Sequence, residues 1–263
     1  WGNTTLEDLL VELEAASGRK LDSWVNTWLQ TAGVNTLRPS LEIDGDVYKS
    51  ITIKQEVPLV PADSKELRPH RLAVGLYDIS GDALKLRKTV ELDVAGASTV
   101  VAELAGEKVA DLLLINDRDL SYAKLRFDDR SIATLKTHLG KFDDALARAL
   151  CWASIWDMHR DAEISSADFI EIALNGLAGE TDDAIVNIVL AQLGTSVEAY
   201  AKDSNRDAYR EKLADGLWAL TNSSAPGSDL QLLISRAFAI NAQTADQNAK
   251  IRELLNGSAP GLK

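Results

Sequence analysis

The sequence has little of what enzymes use for chemistry. Its 263 residues include one cysteine and three histidines, which stand singly at His70, His138 and His159. A single cysteine cannot form an internal disulfide, which fits a reducing compartment, and we expect a cytoplasmic location. The only methionine is Met158, and the chain opens at Trp1. We therefore expect a processed product or an excised piece of a longer protein.

Long apolar runs and clusters of basic residues are also missing. No apolar run approaches the roughly 20 residues that a membrane-spanning helix needs. The opening residues WGNTTLEDLL lack the basic region and apolar core of a signal peptide. The formal net charge is −12, whereas binding to phosphate groups needs clustered Lys and Arg. We expect neither nucleic acid nor a membrane as a partner.

The motifs that assemble metal sites or activated nucleophiles are absent as well. The sequence contains no HExxH, no CxxC, no glycine-rich phosphate loop and no GxSxG. The histidines could act as ligands only with partners from distant segments, so we interpret them as solvated or hydrogen-bonded. Cys151 lies between Leu150 and Trp152 with no adjacent base, which predicts an inert, buried thiol.

Acidic residues occur in three close pairs, and none of them completes a calcium-binding loop. These pairs are Asp44 with Asp46, Asp117 with Asp119, and Asp128 with Asp129. Turns and helix caps are the roles that we expect for them. Trp152 and Trp156 are four residues apart, which favours a place in a helical core. The residues thus predict no catalytic, cofactor-binding or metal-binding side chain in this chain.

The chain begins with two predicted amphipathic helices. Thr4 and Glu7 have the spacing of a capping box, and Gly18 is typical of a helix stop. A second helix is predicted from Leu21 or Asp22 to Gly33. The apolar face of the two helices comprises Leu6, Leu9, Leu10, Leu13, Trp24 and Trp28. A face this wide must pack against something.

From about residue 40 to residue 119 apolar and polar residues alternate with a period of two. The short alternating stretches and their Gly- and Pro-containing turns predict an antiparallel β-sandwich. Asp44-Gly45 is the predicted turn of the first hairpin, and the strand signal stops after Tyr122. With one slip of phase, the inward positions of the second strand are Val47, Ile51, Ile53 and Val57.

The remaining residues predict paired helices. A long helix carries the predicted apolar stripe Phe142, Leu146, Ala149, Leu150, Ala153 and Trp156. Later helices are expected to begin at Ser165, Thr181, Ser204 or Asn205, Ser228, and Thr244 with Gln247 as a capping box. Alternate starts are 39 and 40 residues apart, which is the spacing of HEAT or armadillo helix pairs. A plain helical bundle is the alternative.

Three stretches of the sequence resemble one known family. They are WGNTTLEDLLVELEAASGRKLDSWVNTWLQTAGVNTL at 1–37, DLLLINDRDLSYAKLRFDDRS at 111–131 and LARALCWASIWDMHRDAEIS at 146–165. Together they resemble the C-terminal part of a bacterial aminopeptidase N of the actinobacterial kind, a gluzincin zinc exopeptidase. The similarity runs through the whole chain in order, and the helix with two tryptophans is its most specific piece.

The resemblance implies three regions. Residues 1–37 would be the helical tail of an upstream catalytic domain, and residues 38–122 a linking β-sandwich. Residues 123–263 would be an α-helical superhelix that covers the active site and is truncated at its C-terminus. The family's zinc motif and its GxMEN motif are absent here, so no metal or catalytic residue of the family carries over. Zinc would belong to the parent enzyme, which releases N-terminal amino acids from peptides, and we expect this segment to be inactive alone.

The implied partners follow from this arrangement. The segment would bind the parent's catalytic domain, and peptide substrates would bind only in the full-length protein. Without its partner the N-terminal apolar face would be exposed, which predicts self-association. The alternative function is an independent helical-repeat scaffold with a β-sandwich, which would recognise a partner protein through its concave face.

Overall fold

A computed structural model of the protein describes residues 2–259. Trp1 and residues 260–263, which belong to the first and third predicted regions, lie outside the described residues. The strands are β1 Thr36–Asp44, β2 Val47–Glu56, β3 His70–Ser80, β4 Ala83–Val94, β5 Ser98–Val100, β6 Leu112–Ile115 and β7 Lys124–Leu125. The helices are α1 Leu6–Ser17, α2 Asp22–Trp28, α3 Asp129–His138, α4 Ala145–Arg160, α5 Ser166–Leu177, α6 Asp183–Thr195, α7 Asp203–Ser223, α8 Asp229–Asn241 and α9 Ala245–Leu255. The predicted combination of β-sheets with helices is confirmed.

The N-terminal helices have the predicted ends with small shifts. The capping box of α1 lies one residue later than predicted, because Thr5 caps the helix and its backbone N–H donates to Asp8 at 2.8 Å. Gly18 ends α1 in the left-handed conformation, as predicted. Helix α2 starts at Asp22 as predicted but ends at Trp28, well before Gly33.

The first sheet has four strands in the order β5-β2-β1-β7. Its β1–β2 hairpin turns at Gly45 and Asp46, one residue later than predicted. Strand β7 pairs with β1 in parallel, so the predictions of a purely antiparallel arrangement and of no strand after Tyr122 are wrong. A two-residue strand is too short to show alternation in a sequence.

The predicted inward face of β2 is half right. Ile51 and Ile53 are buried, whereas Val57 is exposed and Tyr48 is buried in place of Val47. The register of the hairpin shifts between Glu42 and Ile43 on β1. An irregularity of this kind changes which side chains face the core, and it accounts for the expected slip of phase.

The second sheet has three antiparallel strands in the order β4-β3-β6 and lies between two cores. Leu113 and Ile115 of β6 join a core that both sheets share. Leu112 and Leu114 of the same strand join a separate core formed mainly by the helices. Because successive side chains of a strand point to opposite faces, one short apolar strand serves both cores.

Most predicted caps of the later helices are confirmed. Ser165 and Ser228 cap α5 and α8, and Thr244 forms the predicted capping box with Gln247. Two starts differ by one or two residues. The cap of α6 is Asp182, and α7 begins at Asp203 without a side-chain cap.

Helix α4 presents a different face to the core than predicted. Leu146 and Ala153 of the predicted stripe are exposed. The buried face contains Ala147, Arg148, Cys151, Trp152, Ser154, Ile155, Met158 and His159. The apolar pattern failed because two polar residues, Arg148 and His159, are buried with partners from other segments.

Glycines permit a close backbone contact between α5 and the 3₁₀ turn Leu139–Lys141. A β-carbon on Gly140 would overlap the carbonyl oxygen of Gly176, and one on Gly179 would overlap the carbonyl oxygen of Gly140. In both cases the clashing atom belongs to the main chain, so a β-carbon would fit only if the backbone shifted. The contact therefore requires glycine for space.

Along residues 2–259, every helix is too short or too polar to cross a bilayer.

Substitution of Gly140 should measure this close contact. We expect Gly140→Ala to lower the free energy of unfolding by about 2 kcal/mol, because overpacking forces the backbones apart. Gly194→Ala in α6 is the matched control, since its added methyl group meets no atom within 4 Å. That control should stabilise the protein by up to about 1 kcal/mol through helix propensity. Urea denaturation compares them, and equal effects of the two variants would contradict the account.

Candidate functional site

The residues considered for chemistry lie in separate elements. His70 starts β3, His138 ends α3 and His159 is in the last turn of α4. Within the part of the chain that the structure describes, no three His, Cys, Asp or Glu side chains are grouped to hold a metal ion. The sequence-based expectation of no metal-binding or catalytic residue in the whole chain stays a prediction.

Cys151 is fully buried in the helical core. Burial raises the pKa of its thiol well above the usual value, and the charge of Asp117 adds to this effect. Since the thiolate is the reactive form of cysteine, the surroundings of Cys151 oppose nucleophilic chemistry.

His70 is buried and hydrogen-bonded through both ring nitrogens. Ser121 Oγ lies 2.6 Å from Nδ1, and Gln55 Oε1 lies 3.0 Å from Nε2. The amide oxygen of Gln55 can only accept, so Nε2 carries the proton and the Ser121 hydroxyl donates to Nδ1. Burial, with the charge of Arg68, lowers the pKa of His70 to about 4. His70 is therefore a neutral structural residue at neutral pH.

His159 closes the turn between α4 and α5. Its Nδ1 donates to the carbonyl oxygen of Ile164 at 2.9 Å, and its ring stacks on Phe169 with a centroid distance of 4.8 Å. The edge of Tyr200 contacts the same ring. Burial lowers the pKa of His159, so this imidazole is also neutral and structural. His138, in contrast, is half-buried and lies beside Thr137.

The acidic pairs mostly have the expected turn and cap roles. Asp44 is the last residue of β1, and Asp46 follows Gly45 in the hairpin turn. Asp128 caps α3 by accepting from the backbone N–H groups of Arg130 and Ser131, and Asp129 is in the first turn.

Asp117 differs from the other members of these pairs, because it is buried. Its carboxyl group accepts a hydrogen bond from the Tyr77 hydroxyl. Burial raises the pKa of Asp117. A β-carbon on Gly75 would lie 2.7 Å from the Asp117 carboxyl carbon. Only glycine at position 75 of β3 therefore leaves room for the hydrogen-bonded pair Tyr77 and Asp117.

Both tryptophans of α4 pack in the helical region, as predicted. Trp152 is buried, and its Nε1 donates to Glu180 Oε2 at 2.9 Å. Arg148 donates to the same carboxylate at 3.0 Å. Burial alone would raise the pKa of Glu180, but Arg148 and backbone N–H groups hold it below its usual value. No local sequence pattern predicts this ion pair, because its members are 32 residues apart.

A second group of charged residues joins the sheets to the helices. It too was not predicted from the sequence. We call Arg38, Lys124, Arg126, Asp161 and Glu163 the junction cluster. The first three lie on or beside β1 and β7, and the two acids lie in the turn between α4 and α5.

The centre of the junction cluster is Arg126, whose side chain is 2% exposed. Its Nε donates to Glu163 at 2.6 Å, and its Nη2 donates to Asp161. Lys124 contacts Asp161 at 2.8 Å, and Arg38 contacts Glu163 at 2.8 Å. Burial opposes ionisation of both acids, but these cations hold their pKa values below the usual range. The cluster thus fixes the α4–α5 turn to the first sheet.

The helices α1 and α2 supply the candidate functional surface. No residue of α1 is buried. We call the exposed apolar residues of α1, of α2 and of its C-cap position the N-terminal face: Leu6, Leu9, Val11, Leu13, Trp24 and Leu29. The predicted members Leu10 and Trp28 are half-buried. Large exposed apolar patches are a common feature of interaction sites, which makes this face the candidate.

Helix α2 is held firmly on the sheets. Arg68 donates to the carbonyl oxygen of Thr27 at 2.9 Å and to the hydroxyl group of Thr31 at 2.6 Å. Its guanidinium group also lies 5.5 Å from the centre of the Trp28 ring, and the Trp28 ring contacts His70 edge-on. The N-terminal face is therefore carried partly by a helix with a fixed position.

The low pKa of His70 predicts a pH dependence of stability. The unfolded histidine titrates near 6.5 and the folded one at about 4, so the unfolded state binds more protons between these values. Stability should fall as the pH drops from 6.5 towards 4, by up to about 3 kcal/mol. His70→Gln should reduce the slope between pH 6.5 and 5, and the slope that remains is expected from His159, whose pKa burial also lowers. Urea denaturation at each pH measures this, and a slope that His70→Gln leaves unchanged refutes it.

Removal of Arg126 should show the strength of the junction cluster. We expect Arg126→Met to lower the free energy of unfolding by about 3 kcal/mol, because it leaves half-buried carboxylates short of a partner. Arg38→Met is the control, since the Arg38 side chain is 36% exposed and such pairs contribute under about 1 kcal/mol. Chemical denaturation at pH 7 compares the two, and a loss for Arg126→Met no larger than the control would count against the cluster.

Comparison with known proteins identifies the family. Residues 112–262, more than half of the chain, match the ERAP1-like C-terminal domain. An aminopeptidase N of Streptomyces lividans is 44% identical over 98% of this chain. The alignment covers 31% of that relative, so the chain spans about a third of its length. The chain therefore belongs to the ERAP1-like C-terminal domain family and corresponds to the C-terminal part of an aminopeptidase N.

Proposed function

We propose that the chain serves as the non-catalytic C-terminal portion of a cytoplasmic zinc aminopeptidase that removes N-terminal amino acids from peptides. The observation that carries this proposal is the N-terminal face, an apolar surface on α1 and α2 that no described residue covers. The similarity to an aminopeptidase N slightly more than three times as long supports it.

Zinc chemistry belongs, in this proposal, to the preceding part of the polypeptide. The side chains at residues 2–259 do not fit a zinc site, because their His, Cys, Asp and Glu residues are not grouped. The segment alone is then inactive, and peptide substrates bind only to the whole enzyme. The role of the segment is structural.

The proposed division of labour follows the three predicted regions. Residues 1–37 complete the catalytic domain, residues 38–122 form a linking sandwich, and residues 123–263 form a superhelix over the active site. The core shared by both sheets supports the sandwich. Alternate helices α5, α7 and α9 follow the caps Ser165, Lys202 and Thr244, with offsets of 37 and 42 residues that support repeated helix pairs.

The junction cluster gives this arrangement a fixed geometry. A cover over an active site works only if its position relative to the catalytic domain is defined. Arg126 and its partners tie the α4–α5 turn to the first sheet, whose strand β1 is the next element after α2. The position of the later helices relative to α1 and α2 is thus set by the sheets between them.

The occupant of the N-terminal face is, in this proposal, the catalytic domain of the same polypeptide. When that domain is missing, the face stays in water. Exposed apolar patches drive association, so the segment alone self-associates through this face or through its C-terminal end.

A chimera tests the proposed function. In the Streptomyces lividans aminopeptidase N the matched C-terminal part is replaced by this chain, and the half-life of aminopeptidase activity is measured at a fixed elevated temperature. We expect an active chimera in which Leu9→Glu shortens the half-life about tenfold or more, because a charge would be buried at the interface.

Val100→Glu is the matched control for the chimera. Val100 on β5 is 59% exposed and Leu9 is 52% exposed, so the two changes differ mainly in location. The control should change the half-life less than twofold. An inactive chimera, or one that tolerates Leu9→Glu as well as Val100→Glu, contradicts the proposal.

A further inference from the structure

Two loops of the sheet region expose large apolar side chains. Leu59 is 84% exposed, Val60 79% and Tyr122 74%. Leu59 and Val60 lie in the β2–β3 loop, residues 57–69, and Tyr122 lies in the β6–β7 loop, residues 116–123. Among the described residues, large apolar side chains of similar exposure lie only in the last two helices. Single exposed apolar side chains are normal, whereas apolar patches are a feature of interaction sites, so the position of the two loops is decisive.

The β2–β3 loop packs against the segment that follows α2. A β-carbon on Gly33 would lie 2.5 Å from the Pro58 Cβ atom and 2.7 Å from the carbonyl oxygen of Val60. The buried side-chain amide of Asn35 donates to the carbonyl oxygen of Glu66 at 2.7 Å. The loop is therefore held in contact with residues 33–35.

Arg68 fastens the same loop to α2 itself. Its Nε donates to the carbonyl oxygen of Thr27 in α2 at 2.9 Å, and its Nη1 donates to Asn35 Oδ1 at 3.0 Å. Leu29 of the N-terminal face is four positions before Gly33, so their Cα atoms are at most roughly 14 Å apart. The β2–β3 loop therefore borders the N-terminal face.

The β6–β7 loop reaches α2 through His70. Ser121 Oγ donates to His70 Nδ1 at 2.6 Å, and the His70 ring contacts the Trp28 ring of α2 edge-on with a centroid distance of 5.3 Å. The buried side chain of Asn116 accepts from the backbone N–H of Ser121 at 3.1 Å and donates to its carbonyl oxygen at 2.7 Å. Tyr122 thus follows a residue that is fixed close to α2.

Both loops are held in place although their apolar side chains are exposed. A loop that is already fixed loses less conformational entropy when a partner binds, which favours docking. The two loops and the N-terminal face are all connected to α2, so a domain that covers the face would also meet the loops beside it. The relative extends far beyond the matched part, so a covering domain of the same polypeptide is available.

We infer that the β2–β3 and β6–β7 loops dock against the same catalytic domain that covers the N-terminal face, with Leu59 and Tyr122 as apolar anchors. This inference rests on the proposed function and adds two contact segments to it. The sheets would then form part of the interface and not only link the catalytic domain to the helices. A second copy of the chain would meet the loops only when the catalytic domain is missing.

Substitutions in both loops of the chimera test this inference. We expect Leu59→Glu and Tyr122→Glu each to shorten the half-life of activity about tenfold, because each change would bury a carboxylate against an apolar surface. Leu59→Met keeps an apolar side chain of similar volume and should change the half-life less than twofold.

Val100→Glu again serves as the control. Val100 is less exposed than Leu59 or Tyr122, so a larger effect at the two loop positions would come from the covering domain. In the chain alone, urea denaturation should give the same midpoint with and without each loop substitution. A midpoint that falls would place the effect in folding and overturn the inference.

The outcomes separate this inference from the proposed function. If either loop variant behaves like Val100→Glu in an active chimera that is sensitive to Leu9→Glu, the inference is wrong and the proposed function stands. Sedimentation should show the same species with and without Leu59→Glu, and a dimer that this substitution dissociates would assign the loop to a second copy and also overturn the inference. An inactive chimera overturns both.

Discussion

The burial of the three-stranded sheet on both faces is the constraint on which the rest of the structure depends. Strand β6 has only four residues, and all four are buried. Leu113 and Ile115 pack towards the other sheet, and Leu112 and Leu114 towards the helices. Neither core is complete without this strand. Sheets and helices are therefore two parts of one packed body, whatever their separate roles in an enzyme.

The junction cluster fixes the orientation of the helices relative to the sheets. Apolar cores resist separation but define orientation weakly, because their contacts are not directional. Arg126 holds two carboxylates of the α4–α5 turn with its planar guanidinium group, and His159 fastens the same turn from inside by its bond to Ile164. In the proposed function, this arrangement would hold the helices at a defined position relative to a catalytic domain that packs on the N-terminal face.

The sequence predicted what is local. Ser165, Ser228 and Thr244 with Gln247 are caps set by neighbouring residues, and they were predictable for that reason. The apolar face of α1 was predictable from spacing, whereas its exposure was expected only from the family resemblance, which implied a missing partner domain. Three errors have a common cause in distant partners. The buried face of α4 depends on Glu180, which is 32 positions from Arg148, the strand β7 exists only beside β1, and the junction cluster joins residues more than thirty positions apart.

Native-state hydrogen exchange tests the central claim, that the three-stranded sheet joins both cores into one cooperative body. The amides of β3, β6 and α4 are followed as a function of low denaturant concentration. The account predicts that the most protected amides of all three elements merge into the same global unfolding reaction. If α4 and the helices after it exchange through a separate opening of lower free energy while β3 and β6 remain protected, the claim is wrong.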